Sequence, residues 1–76
     1  MKVSGRIQFG GVNVGDTLVK YLDGGFDGPQ VIGVVVGKTT NSKGKAVLVL
    51  DRVSFLGSDR LGKSAFGKLT IRKVVG

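Results

Sequence analysis

A chain of 76 residues suits one domain, residues 1–76, and no second is expected within that length. With no Cys and no His, neither disulfides nor zinc can staple it, so it is held by its own core or by association with a second copy. Twelve Lys and Arg stand against five Asp and no Glu, a formal charge of +7 that favours polyanionic partners. The missing His, Cys and Glu remove most general bases and nucleophiles, so no enzyme, cofactor or metal site is expected.

Residues 2–9 alternate, with Val3, Ile7 and Phe9 on one face and Lys2, Ser4, Arg6 and Gln8 on the other, which predicts a half-buried strand. This opening lacks the continuous apolar run of a signal peptide, and the apolar stretch at residues 31–36 is too short to span a bilayer. A cytoplasmic protein without membrane insertion is the expectation. Within residues 12–22, a turn at Gly15 and Asp16 precedes a second strand beginning at Thr17. Residues 23–29 concentrate Gly, Asp and the single Pro, and read as a loop.

Two β-branched runs follow, residues 30–40 and 45–55, separated by Asn41, Ser42, Lys43 and Gly44, which predicts a hairpin with Gly44 in the left-handed position. Residues 56–67 break the alternation and allow at most one short helical turn near residues 58–66. Alternation resumes over residues 68–75, with Leu69 and Ile71 inward and Lys68, Thr70 and Arg72 outward, as a closing strand. Fourteen Gly and no sustained helical stripe argue against helical architecture. The predicted fold is therefore mostly β, a small antiparallel five-stranded barrel.

The run Val14, Gly15, Asp16, Thr17, Leu18, Val19, then Gly24, Gly25 and Gly28, then Gly33, Val34, Val35 and Val36, resembles the opening of small SH3-like barrels, particularly KOW-type domains of ribosomal and transcription proteins. The resemblance implies an SH3-like barrel that binds RNA or protein.

Residues 57–64, GSDRLGKS, satisfy the G-x-x-x-x-G-K-[ST] phosphate-loop expression. A nucleotide-hydrolysing loop would need a long helix from Lys63 and Ser64 and a downstream Asp for magnesium, yet Ala65, Phe66 and Gly67 lead into a β-rich run and no Asp follows. A basic surface loop is the better expectation, in which backbone amides beside Arg60 and Lys63 could still hold a phosphate. Asp23 and Asp27 bracket Gly24, Gly25 and Phe26 without calcium-loop spacing, and suit ordinary turn chemistry.

Charge is unevenly placed. Through residue 37, Lys2, Arg6 and Lys20 offset Asp16, Asp23 and Asp27, so the whole excess arises from Lys38 onward. Paired first and last strands would set Lys2 and Arg6 beside Lys68 and Arg72, while Lys38, Lys43 and Lys45 would crowd the hairpin tip. The bland alternative is that such Lys residues serve solubility. Phe26 and Phe66 could stack on bases or plug the barrel ends, and Phe9, Tyr21 and Phe55 read as core, with the Tyr21 hydroxyl able to stay at the surface. Residues 34–36 and 46–50 are apolar on both strand faces, which invites a covering partner or a second copy. Two functions follow. One is a nucleic-acid-binding module using Lys38, Lys43, Lys45, Arg60, Lys63, Lys68, Arg72 and Lys73 against phosphates. The other is an assembly module, such as a small modulator or inhibitor of the kind phages encode, docking on an acidic protein surface through its apolar hairpin.

Overall fold

The computed structural model describes residues 2–21, 28–54 and 57–75. A 3-10 turn at Phe9–Gly11 precedes β1 (Thr17–Tyr21), β2 (Pro29–Thr40), β3 (Ala46–Leu50), β4 (Arg60–Gly62), a helix α1 (Lys63–Leu69) and β5 (Arg72–Lys73). The strands form one antiparallel sheet in the order β4-β3-β2-β1-β5. The mostly β, five-stranded antiparallel expectation is met.

The expected hairpin forms. Thr40 faces Ala46, the Asn41 amide donates to the Lys45 carbonyl at 2.9 Å, and Gly44 takes the left-handed conformation at φ 76°. The Asn41 side-chain oxygen accepts the Lys43 and Lys45 amides at 2.9 and 3.0 Å, which fixes the turn. β3 stops at Leu50, short of the run read from sequence, because Asp51 turns back on β2. Its amide donates to the Val34 carbonyl at 2.9 Å and its carboxylate accepts the Val34 amide at 3.0 Å. Gly33 makes room for this: a Cβ there would stand 3.0 Å from the Asp51 Oδ1.

Hydrogen bonds do not close the sheet into a barrel. β2 pairs with β1 through its first half and with β3 through its second, and the register shifts once in each ladder, leaving Ile32 and Val36 as extra residues on β2. Such bulges bend a strand and raise its twist. The sheet therefore curls, but its edge strands, three residues in β4 and two in β5, are too short to make a seam. α1 joins these two edges instead and sends Phe66 into the core.

That core gathers Val12, Leu18, Ile32, Val35, Leu48, Leu50, Leu61, Phe66 and Ile71, with Ile7, Phe9 and Leu69 packed against it. Each large apolar side chain so buried contributes about 1.5–3 kcal/mol. Among the described residues no polar or charged side chain is buried.

Residues 2–9 do not form the predicted strand. Val3 makes an isolated bridge to Val74, the Ser4 amide donates to the Lys73 carbonyl at 2.8 Å, and the Ile7 amide to the Ile71 carbonyl at 3.1 Å. Three steps along one segment match two along the other, so the chain bends at Gly5 and the ladder loses its regularity. The last strand is likewise shorter than predicted, because Lys68 and Leu69 end α1 and Thr70 turns the chain at φ 50°. Leu69 and Ile71 still face the core. Residues 23–27 of the predicted loop and Phe55 lie outside the described residues, while Pro29 opens β2.

Candidate functional site

Two carboxylates, those of Asp16 and Asp51, are committed to local structure. The Asp16 carboxylate accepts the Asn13 amide at 2.8 Å and lies 3.9 Å from the Lys73 Nζ. Asp51 receives Nε and a terminal nitrogen of Arg52, each at 3.0 Å. That guanidinium, then the Val34 amide, lowers the Asp51 pKa to about 2, so the carboxylate stays ionised. Among the described residues no ion pair involves Lys38, Lys43, Lys45, Arg60, Lys63, Lys68 or Arg72.

α1 is a ridge between two hollows. On the side of its first turn a groove of about 730 Å³ runs between the hairpin end and the helix, floored by Phe9, Ala46 and Val47 and flanked by Lys45 and Lys63. Gly62 and Gly67 line it without side chains; a Cβ at Gly62 would meet the Val47 Cγ1 at 3.8 Å, and one at Gly67 would meet nothing within 4 Å. A hollow of about 310 Å³ continues it past Phe9 and Lys63 to Arg6, whose guanidinium donates to the Gly67 carbonyl at 2.9 Å. At the last turn of α1 a second groove of about 320 Å³ is lined by Lys20, Tyr21, Lys68, Leu69, Thr70 and Arg72. Here the Arg72 guanidinium carbon sits 5.3 Å from the Tyr21 ring centroid, and its NH1 donates to the Ser4 carbonyl at 3.4 Å. Among the described residues, every charged side chain lining these hollows is a cation.

The sequence candidates are thus divided. Lys45 and Lys63 share the first groove, and Lys68 and Arg72 the second. Lys38 and Lys43 are exposed on β2 and the hairpin turn, Arg60 is exposed on β4, and Lys73 is half-buried beside Asp16. Phe66 is only 2% exposed, its ring edge-on to Phe9 at 5.7 Å, so it serves the core and offers no face for stacking. Phe26 lies outside the described residues. Tyr21, expected in the core with its hydroxyl able to reach the surface, is 41% exposed. Arg6, expected beside Lys68 and Arg72, instead lines the hollow with Lys63, and Lys20 and Tyr21 are groove residues the sequence candidates did not include; a lone aromatic beside a Lys at a strand end is the signal for them.

The phosphate-loop match is a strand-to-helix junction. Residues 60–62 pair with β3, so the segment that would wrap a phosphate is edge strand, and the helix after it has only seven residues. On the doubly apolar hairpin Val47 is buried and Val49 half-buried, while Val36, the bulge residue, is 53% exposed. Among the described residues no helix is long and apolar enough to cross a membrane, and no cluster of three or more potential metal ligands occurs. No protein-family model, curated protein or solved structure matches the chain.

Proposed function

We propose that this chain is a non-enzymatic basic module of the cytoplasm that binds nucleic acid through phosphate contacts, with little sequence specificity. The observation that carries this reading is the lining of the grooves on either side of α1. Arg6, Lys45 and Lys63 on one side, and Lys20, Lys68 and Arg72 on the other, form no ion pair among the described residues. A polyanion entering such grooves replaces counterions without displacing a carboxylate, and phosphate spacing suits cations dispersed along a path. Apolar and aromatic floors add sequence-tolerant contact. The resemblance to KOW-type SH3-like barrels points the same way.

The test is fluorescence anisotropy of labelled single-stranded and duplex oligonucleotides over a salt series. Affinity should fall log-linearly with salt and drop steeply on the double reversal Lys45→Glu and Lys63→Glu. No binding of either form at low salt would refute the proposal. The exposed Val36 beside half-buried Val49 favours the second reading, an assembly module whose apolar hairpin meets an acidic protein or a second copy. An oligomer in sedimentation, lost on Val36→Asp, together with absent oligonucleotide binding, would favour it.

A further inference from the structure

Attraction to a polyanion accounts for the cations but not for an aromatic ring left open among them. Tyr21 closes β1, where Leu18 and Val19 are wholly buried, yet two-fifths of Tyr21 is exposed. Its ring is already matched with the Arg72 guanidinium, and Arg72 is tied a second time to the Ser4 carbonyl, so the pair is organised before any ligand arrives. Lys20 and Lys68 stand on the same groove, the former donating to the Tyr21 carbonyl at 3.3 Å.

A second observation marks the same wall. Thr70, at φ 50° and ψ 62°, is the only described non-glycine residue with positive φ, and it ends α1 inside this groove. Gly or Asn is the usual occupant of such a helix end, and a β-branched residue there is strained. Backbone strain of this kind clusters at ligand sites.

We propose that the groove of Lys20, Tyr21, Lys68, Thr70 and Arg72 is a base-stacking subsite that selects single-stranded over duplex nucleic acid, an inference that rests on the nucleic-acid reading above. A base inside a duplex has both faces covered by its neighbours. An unpaired base does not, and it adds a layer to the Tyr21 and Arg72 pile while Lys20 and Lys68 take the phosphates on either side. The strand continuing past α1 then meets Lys63 and Lys45.

The chain has one Tyr and no Trp, so the emission of Tyr21 reports stacking directly. The experiment titrates the intact protein with an unlabelled oligothymidylate, following tyrosine emission corrected for absorbance. In parallel, anisotropy compares a labelled oligothymidylate with a duplex of equal length over a salt series. Emission should be quenched on binding, and the single strand should bind at least about fivefold tighter than the duplex, as the stacking of one base implies. Tyr21→Ala should weaken single-strand binding by about 5- to 150-fold without changing the salt slope, while Tyr21→Phe keeps most of it. Lys68→Gln should instead lower the slope by about 0.7.

Salt-dependent binding without quenching, or with equal affinity for duplex, overturns the subsite and leaves the phosphate reading standing. Absence of binding to both forms overturns that reading and this inference together. Should Tyr21→Ala not fold, quenching in the unaltered chain decides.

Discussion

The hairpin of β2 and β3 and the seam where residues 2–7 meet β5 are both antiparallel pairings, yet they are made differently. The hairpin is local, closed by Asn41 and Gly44, and places Val35, Leu48 and Leu50 in the core. The seam joins the two ends of the sequence through a single bridge, a few backbone bonds, and side chains that reach across: the Ser4 hydroxyl accepts the Lys73 amide at 3.1 Å, and Arg6 and Arg72 grip opposite backbones. The difference teaches where stability and recognition reside. The hairpin buries Ile32, Val35, Val47, Leu48 and Leu50, whereas Lys45 alone among the cations that line the grooves belongs to it.

Four measurements break or sharpen this contrast. The largest effect belongs to Leu48→Ala, which empties a fully buried site on β3 and should cost about 2–5 kcal/mol in urea unfolding. Next, Gly33→Ala forces a Cβ to within 3.0 Å of the Asp51 Oδ1 and 3.3 Å of the Leu50 Cβ, and should cost about 1–3 kcal/mol in the same assay. On the seam, Ser4→Ala removes one half-buried hydrogen bond to Lys73 and should cost only about 0.5–1.5 kcal/mol. A loss equal to that of Leu48→Ala would erase the distinction between the two regions.

The smallest effect is a pH dependence. Asp51 has its pKa lowered from 3.8 to about 2 by Arg52 and Val34, so its ionised form favours the folded chain. That contribution is fully present above the unfolded value of 3.8 and is lost as pH falls through about 2. Thermal melts of the native chain and Asp51→Asn should therefore differ at pH 6 and converge toward pH 2. A gap that persists at low pH would assign the role of Asp51 to shape rather than charge.

The same contrast explains what could be read from the sequence. The hairpin was legible because its β-branched runs and the Asn41 to Gly44 turn are neighbours in the chain. Of the inward set Val3, Ile7, Phe9, Leu69 and Ile71 read from alternation, all but Val3 pack on the core, although the segments carrying them are not regular strands. α1 was placed too early because Phe66 and Leu69 are its only core-packed residues, too few to set a helical period. The bulges at Ile32 and Val36, which decide how far the sheet curls, leave no mark in a run of β-branched residues. The cationic excess was visible in composition. Its division into two grooves depends on where α1 lies and on Gly62 and Gly67, which become informative only once the helix faces the hairpin.

β2 belongs to both ladders. The half of the sheet built on β1 and β5 and the half built on β3 and β4 share that one strand, so neither can separate as an independent unit without stripping partners from the other. A small chain wired this way melts in one all-or-none step: its calorimetric and van't Hoff enthalpies should agree. Damage anywhere along β2 then lowers the midpoint of that step and does not split it.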